Sequence, residues 1–433
     1  MPLADIEPAR GFLCVQSVAG AIFIQKDRIK LMPGKNNGPS GLRILVVVPF
    51  YRPAYVYGGP VRSVPALCEG LSRLGCAVTV FTTNANGDSE LDVDTRTPCV
   101  VGGVKVFYHP YEKGPFLFYS PTLKRACVEQ IRAFDLVYVV SCWTYPFIPA
   151  VRAAAAAGIP YVISPRTAFM RATWAAAFLK KLGYHLLFER SLTNRAAAIH
   201  FTSRLEMDQS GWLRLQSKPV IVPNPVDISE FITFTQRGSF RDYHSVAADE
   251  KVFLYMGRVE PRKGLDLAIQ AFGSIASCCG PTRLVIVGPQ ADAYLRQLKK
   301  VARKVGVAKR VTFVGLLTGV DRLAAFRDAD IFILTSLAEN FAVAAVEAMA
   351  SRLPLLVTET VGVAADVAAH EAGMVVVREK QALTEAMERL LKNEKLRIQM
   401  GESGKRLAQA NYNPDFVAKE WLDRLAHGPA PGI

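Results

Sequence analysis

The chain has 433 residues, of which 50% are hydrophobic and 21% charged, and it carries a formal net charge of +14. This length allows two or three domains with buried cores, and the composition excludes an intrinsically disordered protein. No stretch reaches the roughly eighteen apolar residues that a membrane-spanning helix needs.

The first forty residues are predicted to be an accessory segment ahead of the first domain. Their most apolar stretch, from Gly11 to Ile24, is too short to span a bilayer. Asp5 and Glu7 precede this stretch and no small-residue cleavage site follows it, so it is also a poor signal peptide.

The eight cysteines show no Cys-x-x-Cys spacing, and most of them lie in apolar runs. A free thiol in such surroundings behaves as a small hydrophobic side chain. We therefore expect neither a zinc site nor a disulfide framework, and a location in the reducing cytoplasm.

Positive charge is concentrated in the first half of the chain. Residues 41–222 carry 20 Lys and Arg against 11 Asp and Glu, a balance of +9. Residues 223–433 carry 27 against 24, a balance of +3. The asymmetry predicts an anionic partner for the first half, whether nucleic acid, membrane surface or acidic substrate.

Short apolar runs alternate with longer helical stretches from Arg43 onward, which predicts parallel α/β structure. The predicted strands of the first half are Ile44–Val48, Ala77–Phe81, Leu136–Val140, Pro160–Ile163, Ala197–Phe201 and Val220–Val222. The pattern restarts with Val252–Tyr255, Arg283–Val287, Val311–Val314, Ile331–Leu334, Leu355–Val357 and Met374–Val377. Two such series predict two doubly wound, Rossmann-like domains that face each other across a cleft.

The domain boundary is predicted at Pro223–Asn224–Pro225, where two prolines disfavour regular structure. The two domains then comprise residues 41–222 and 223–395. Residues 396–433 are predicted to be helical and are expected to return to the N-terminal domain.

The first candidate site is Tyr57–Gly58–Gly59–Pro60, which follows the first predicted strand. Paired glycines let the backbone approach a ligand, and Pro60 suits the first turn of a helix. Free N–H groups and a positive helix end then lie where a phosphate or an acceptor can bind. An ordinary strand-to-helix turn explains these residues equally well.

The second candidate site is the turn from Gly257 to Gly264, which again follows a predicted strand. Its cations Arg258 and Lys263 lie five residues apart and bracket Pro261. Two cations at the end of a parallel sheet can hold both phosphates of a diphosphate leaving group. A solvated basic turn is the alternative.

The third candidate site holds Glu339 and Glu347, on either side of a predicted loop-to-helix junction. If the helix begins near Phe341, the free N–H groups of residues 341–343 form an anion site between the two acids. Glu347 has largely apolar neighbours and so needs polar partners, and its carboxylate can accept both hydroxyls of a ribose. Glu339 can accept hydroxyls of the transferred sugar.

The order and spacing of these segments resemble the retaining glycosyltransferases of family four, which have the GT-B fold. The similarity runs from about Arg43 to the C-terminal helices. It implies that the N-terminal domain binds the acceptor and the second domain binds the nucleotide-sugar donor. The implied catalytic residues are Arg258 and Lys263 on the donor diphosphate and Glu339 on the donor sugar; the implied donor-binding residues are Gly58, Gly59, Gly315, Leu316, Asn340, Phe341, Ala342 and Glu347.

The sequence departs from the family pattern at four positions. Pro225 and Ala342 stand where glycine is usual, and Arg352 stands where glycine or another small residue is usual. Ala342 still offers its N–H to an anion unless its φ must be positive. Arg166 replaces a histidine and stays protonated, so we expect it to contact negative charge on the leaving phosphate or on an acidic acceptor rather than to act as a base.

The resemblance implies front-face attack, in which the departing phosphate oxygen helps to deprotonate the acceptor. Catalysis is then mainly electrostatic stabilisation of the leaving group. The Asp92–Val93–Asp94 sequence lies outside both predicted sheets, so we assign it no metal and expect no cofactor. The resemblance also suggests a bacterial role in cell-surface polysaccharide assembly.

Residues 166–195 hold six Lys and Arg against the single acid Glu189, interleaved with aromatic and aliphatic residues. This composition is typical of a basic amphipathic helix on the inner face of an anionic membrane, and it predicts a lipid-linked acceptor. An ordinary domain helix with one apolar face in the core explains it equally well.

Three other functions remain open at this stage. A sugar-nucleotide epimerase can share the architecture but does not require the Arg–Lys turn together with the spaced glutamates. A dehydrogenase would need Gly-x-Gly-x-x-Gly after a strand, which Gly58–Gly59 does not provide. A non-enzymatic anion-binding or nucleic-acid-binding protein explains the charge but not the anion sites at strand ends.

Overall fold

The computed structural model describes residues 14–17, 20–25, 28–31, 41–112, 117–175, 177–233, 238–276, 279–290 and 292–427. In the accessory segment, three strands pair as an antiparallel sheet: β1 (Cys14–Ser17), β2 (Gly20–Gln25) and β3 (Arg28–Leu31). The sequence predicted no strands there. Asp5, Glu7 and Gly11, on which the signal-peptide argument relies, lie outside the described residues.

The first large domain is built on an eight-stranded sheet in the order β13-β12-β11-β10-β4-β5-β9-β8, in which only β8 and β9 pair antiparallel. A short ribbon of two further strands, β6 and β7, lies beside it. The strands of this domain are β4 (Arg43–Val47), β5 (Ala77–Thr83), β6 (Ala85–Asn86), β7 (Ser89–Glu90), β8 (Cys99–Val101), β9 (Val104–His109), β10 (Leu136–Val140), β11 (Tyr161–Ser164), β12 (Ala198–Phe201) and β13 (Pro219–Ile221). Its helices are α1 (Pro60–Arg73), α2 (Pro121–Gln130), α3 (Phe147–Ala157), α4 (Phe178–Tyr184), α5 (Arg190–Asn194) and α6 (Arg204–Ser210).

The second domain is built on six parallel strands in the order β16-β15-β14-β17-β18-β19. These strands are β14 (Lys251–Met256), β15 (Thr282–Val287), β16 (Val311–Gly315), β17 (Ile331–Leu334), β18 (Leu355–Thr358) and β19 (Gly373–Val376). The remaining helices are α7 (Ser229–Thr233), α8 (Ser239–Tyr243), α9 (Leu265–Ile275), α10 (Asp292–Lys304), α11 (Gly319–Asp328), α12 (Val343–Ala350), α13 (Ala364–Ala369), α14 (Lys380–Lys392), α15 (Glu394–Asn411) and α16 (Pro414–His427).

The prediction of two doubly wound parallel domains is confirmed. Strands such as β10 are buried along their whole length, because helices cover both faces of the sheet. In each domain the first strand, β4 or β14, pairs with a strand much later in the chain, β10 or β17. The chain winds in opposite directions on either side of such a pair, which opens a crevice at the carboxyl ends of the strands.

Within the eight-stranded sheet, the sequence prediction missed two strands, β8 and β9, which lie at one side of it. Exposed Lys105 interrupts the apolar side chains of β9, and the turn Gly102–Gly103 separates the two strands. β8 is the edge strand and β9 lies next to it, so neither is a continuous buried apolar run of the kind on which the prediction relied.

The chain crosses between the domains twice, once at residues 223–225 and again between α15 and α16. The C-terminal residues do not return to the first domain together, as the sequence analysis expected. Helix α16 packs on the first domain, with Trp421 fully buried in that core, whereas α15 still packs on α12 of the second. Gly70 of α1 permits this contact, because a Cβ there would lie 2.5 Å from the carbonyl oxygen of Pro414. The N–H of Val226 donates to the carbonyl of Tyr412 at 2.8 Å, so the two crossings lie side by side.

The basic segment 166–195 is not the single amphipathic helix that the sequence suggested. It consists of a 3-10 turn at Arg171–Thr173, helix α4, a π-helical turn at His185–Glu189 and helix α5. Ala177 has a positive φ of 60°, and Trp174 is buried, so the segment partly belongs to the domain core. Leu179 and Leu187 are nevertheless 81% and 77% exposed. Within the described residues, no helix has the length and apolar character needed to cross a membrane.

Candidate active site

A cavity of about 450 Å³ lies between the two domains, where β4, β10, β14 and β17 end. A smaller recess of about 80 Å³ adjoins it and shares several wall residues. The cavity brings together most of the residues selected from the sequence: Gly58, Gly59, Arg166, Arg258, Lys263, Glu339, Asn340, Phe341 and Ala342. Leu316 and Glu347 line the recess. Gly315 lines neither space; its carbonyl accepts a hydrogen bond from the N–H of Gly288 at 2.7 Å.

The turn after β14 presents its cations to the cavity from the second domain. Arg258 is 44% exposed and lies 3.3 Å from Glu260, which also pairs with Arg262. Gly264 closes the turn with a φ of +63°, and a Cβ there would lie 2.3 Å from the carbonyl oxygen of Thr335. The turn is therefore held against the end of β17, which fixes where its cations point.

Lys263 forms an ion pair with Glu339 inside the cavity wall. Both side chains are largely buried, at 14% and 15% exposure, so each charge depends on the other. The N–H of Glu339 donates to the carbonyl of Thr360 at 3.1 Å, which fixes the backbone of this acid. The pair thus joins the second and third candidate sites into one charged wall.

The loop before α12 is fastened to the first domain through Asn340. The hydroxyl of Ser203 donates to the carbonyl of Asn340 at 2.6 Å, and the Asn340 side chain donates to Thr202 Oγ1 at 2.8 Å. Buried Glu206 in turn accepts from the Thr202 hydroxyl at 2.7 Å. The sequence analysis did not identify Thr202 and Ser203 as contacts across the cleft.

Glu347 is buried and pairs with Arg322 of α11, at 3% and 7% side-chain exposure. Burial lowers the pKa of the Arg322 guanidinium, and the neighbouring Glu347 carboxylate acts in the opposite direction, without reversing the shift. The guanidinium also lies over the rings of Phe231 and Phe326, at 5.0 and 5.3 Å from their centroids. The expectation that a buried Glu347 needs a partner is met by Arg322, which sequence spacing did not reveal.

Helix α12 begins at Val343 rather than near Phe341, so the predicted anion site moves along the chain. The N–H of Ala345 already bonds to the carbonyl of Ala342, and Val343 and Ala344 line both the cavity and the recess. Ala342 has φ +88° and Arg352 has φ +62°, which are left-handed conformations that favour glycine. Two of the four departures from the family pattern therefore put side chains on strained backbone.

Ala342→Gly is expected to stabilise the protein by about 1 kcal/mol, because glycine adopts this backbone conformation without the steric cost that alanine bears. Ala344→Gly, inside α12, is the matched control and should destabilise by about 1 kcal/mol. Urea denaturation of both variants measures the difference. Equal destabilisation by the two substitutions would show that the backbone at residue 342 is unstrained.

Gly58 and Gly59 face this helix from the first domain. A Cβ on Gly59 would lie 3.4 Å from Val343 Cγ2, and one on Gly58 would lie 3.9 Å from Arg258 Nε. Gly58 also has a φ of +79°. A Cβ at either position would make ordinary van der Waals contacts, so the positive φ of Gly58 rather than lack of space favours glycine in this turn.

Arg166 is buried beside the cavity and donates to the side chain of Asn224 in the linker and to the Tyr138 hydroxyl, the latter at 3.4 Å. Tyr138 contacts His200 Nδ1 at 2.8 Å, and burial together with the nearby Arg166 lowers the pKa of His200 to about 3. A neutral His200 is consistent with its other nitrogen donating to the Val222 carbonyl. Arg166 therefore links the linker to the cavity.

Three aromatic rings on the first domain, Phe50, Tyr57 and Phe118, complete the cavity wall. Phe50 and Tyr57 stack at 4.3 Å, and Phe118 lies edge-on at 5.4 Å from each. Such a wall can pack against the apolar face of a sugar. The sequence indicated the loop but not this cluster.

Asp94, the second carboxylate of the Asp-Val-Asp sequence, accepts from the N–H of Arg96 at 2.8 Å and from the Thr97 hydroxyl. These bonds close a local turn. In the described part of the chain, no three His, Cys, Asp or Glu residues are grouped so that they can hold a metal ion.

Two family descriptions match consecutive parts of the chain. Residues 58–225 match the Glycosyl transferase 4-like domain, and residues 236–407 match Glycosyl transferases group 1. The first match covers most of the first domain, and the second covers the strands and most helices of the second domain.

The chain is 23% identical over 386 residues to an uncharacterized glycosyltransferase of Methanocaldococcus jannaschii, covering 88% of this chain and 97% of that one. It is 25% identical over 236 residues to the phosphatidyl-myo-inositol mannosyltransferase of Mycobacterium leprae, covering 54% and 59%. Among solved structures, Anabaena HepE in complex with UDP-glucose matches with a TM-score of 0.67 at 18% identity, covering 89% and 99%.

Proposed function

Because its two halves match these two domains in order, the chain belongs to the family-four type of GT-B glycosyltransferases, which use sugar-nucleotide donors, and we propose that it is a retaining, metal-independent enzyme. We further propose that the acceptor is a saccharide or lipid-linked saccharide of cell-surface polysaccharide assembly. The protein then works in the cytoplasm, at the inner face of the membrane when the acceptor is lipid-linked.

The observation that carries this proposal is the convergence of Arg258, Lys263 and the first turn of α12 on one cavity between the domains. Two cations and a helix N-terminus form a site for the two phosphates of a nucleotide diphosphate. In this proposal Glu347 in the adjoining recess holds the ribose hydroxyls. Glu339 contacts the donor sugar, and Arg166 faces the acceptor side.

The proposed reaction exchanges one bond at the anomeric carbon for another. The bond from that carbon to the diphosphate oxygen breaks, and the acceptor oxygen attacks from the same face. The acceptor proton passes to the departing phosphate oxygen, so no side chain has to act as a base. Arg258 and Lys263 stabilise the charge that develops on the diphosphate, in a site already shaped to receive it.

Front-face attack predicts that an α-linked donor gives an α-linked product. NMR of the purified product reads the configuration from the one-bond C1–H1 coupling constant, which distinguishes the anomers whatever the configuration at C2. A β-linked product would contradict the retaining mechanism. Donor incubated without acceptor is the control, since conversion of its sugar to another epimer would instead favour an epimerase.

Metal independence predicts that excess EDTA leaves turnover within about twofold of the untreated rate, because protein cations do the electrostatic work of a divalent ion. The assay should follow release of the nucleoside diphosphate after extensive dialysis against chelator. Loss of activity with EDTA and its recovery with magnesium or manganese would contradict this part of the proposal.

The lipid-linked form of the acceptor is supported by charge and by one relative. The first domain carries the balance of +9, and the name of the Mycobacterium leprae relative specifies a phosphatidyl-myo-inositol acceptor. Lys180 is exposed on the segment 166–195, whereas Lys181 donates to the carbonyl of Thr173 at 2.5 Å and lies 4.8 Å from the Trp143 ring. Lys181 is therefore a structural residue rather than a membrane contact.

A further inference from the structure

A second, larger cavity of about 710 Å³ lies on the outer face of the first domain. We call it the outer groove; it lies between α2 and α3, and Tyr184 and Phe188 of the neighbouring helical segment form one side. Its volume falls within the roughly 300–1,000 Å³ of ordinary small-molecule sites. The outer groove is distinct from the cavity between the domains.

The outer groove exists because α3 presents small side chains to it. Ala153, Ala156 and Ala157 line it and leave the space above them unfilled. Apolar residues of the other walls are left in contact with solvent: Val128 is 64% exposed and Phe188 is 44% exposed. An apolar concavity of this size on a protein surface indicates a binding site.

The polar residues of the outer groove include three cations, Lys124, Arg132 and Arg152. All three are exposed, and none has a carboxylate within ion-pair distance among the residues that the structure describes. No acidic residue is found on its described walls. The ligand that complements these walls has an apolar body and an anionic group.

The outer groove ends close to the proposed active site. Tyr145 lines it, and the N–H of Tyr145 donates to the carbonyl of Leu117 at 2.8 Å. Leu117 in turn lines the cavity between the domains. A chain lying in the outer groove can therefore place its head group beside the acceptor side of that cavity.

We propose that the outer groove binds the hydrocarbon chain of an anionic, phosphate-bearing lipid that carries the acceptor sugar. The inference rests on the lipid-linked form of the proposed function. Exposed Leu179 and Leu187, on the same helical segment as Phe188, then touch the bilayer from which the lipid is taken. Lys124, Arg132 and Arg152 pair with its phosphate and with neighbouring anionic head groups.

Farnesyl phosphate is a suitable probe, because it combines one apolar chain with one phosphate. Its binding is measured by titration calorimetry in the presence of saturating UDP, so that the proposed diphosphate site is already filled. Farnesol and inorganic phosphate are tested in parallel. We expect farnesyl phosphate to bind, farnesol to bind more weakly, and inorganic phosphate to give no signal.

Ala156→Trp fills the outer groove from an exposed position and should weaken farnesyl phosphate binding by at least about tenfold. Ala133→Trp, at an exposed alanine outside the groove, is the matched control and should bind normally. Arg152→Glu should weaken the phosphate ester but not farnesol, whereas Arg125→Glu, off the groove, should leave both unchanged.

Wild-type affinity of Ala156→Trp for farnesyl phosphate would overturn the proposal. Binding of inorganic phosphate as tight as that of farnesyl phosphate would overturn it too. Equal affinity for farnesol would show that the cations do not recognise the lipid. The donor proposal is tested separately by titrating UDP into the same variants. The outer-groove variants should bind UDP as the wild type does. In the wild-type protein, absence of UDP binding with intact farnesyl phosphate binding would contradict the donor site alone, whereas UDP binding without farnesyl phosphate binding would contradict the outer groove alone.

Discussion

Lys263→Ala is expected to lower turnover by about 100-fold to 1,000-fold, the range seen when one preorganised donor to a developing anion is removed. Two effects act together in this variant. The leaving diphosphate loses a cation, and Glu339 loses its partner, so its unpaired charge repels the phosphates. Folding stability should fall by only about 1–2 kcal/mol, because the pair is partly accessible to water.

Arg258→Ala is expected to lower turnover to a similar extent, with an even smaller effect on stability because the side chain is half-exposed. Arg258→Lys should recover part of the rate, since it restores the charge but not the two-pronged geometry. Lys300→Ala, at an exposed lysine on α10, is the control and should keep the wild-type rate. Initial rates at saturating donor, together with thermal unfolding, separate catalysis from folding. Wild-type turnover in both Lys263→Ala and Arg258→Ala would rule out the diphosphate assignment.

Glu347→Ala is expected to destabilise the protein by about 3–5 kcal/mol, because it leaves the guanidinium of Arg322 buried without a counter-charge. The same substitution removes the proposed ribose ligand and should weaken UDP binding. Stability and affinity therefore fall together in the single variant, which cannot separate the two roles of Glu347.

The double variant Glu347→Leu, Arg322→Met separates them. It replaces the buried pair by apolar side chains of similar volume, and such replacements are often neutral or stabilising. Chemical denaturation should show stability close to wild type, whereas calorimetry should still show weakened UDP binding. Recovery of UDP affinity along with stability would mean that Glu347 only supports the fold.

Much of the fold was predictable because buried parallel strands have a simple signature. The runs Leu136–Val140 and Ile331–Leu334 match the observed strands residue for residue, since helices cover both faces of each sheet. The strand Val104–His109, next to the edge strand β8, was not predictable in this way, because exposed Lys105 interrupts its buried side chains.

The candidate site was predictable where a residue belongs to a glycine pair, as Gly58 does, or closely follows a strand, as Arg258 does. Contacts between distant segments gave no such signal. Arg322 meets Glu347 only after α11 and α12 pack, and Thr202 meets Asn340 only after the domains face each other. The sequence departure at Ala342 posed the question whether this residue has a positive φ, and the structure answers it with a φ of +88°.

The paired crossings between the domains limit how this enzyme can open. The Val226–Tyr412 hydrogen bond joins the two crossing segments, so we expect them to act as a single hinge. Such a hinge allows one domain to rotate about one axis and resists sliding or twisting. The Phe341 ring packs edge-on against the Tyr412 ring, with 5.4 Å between their centroids. The loop before α12, which lines the cavity, therefore contacts this hinge. We therefore expect rotation of one domain against the other to move this loop, so that donor binding and closure of the cleft are coupled.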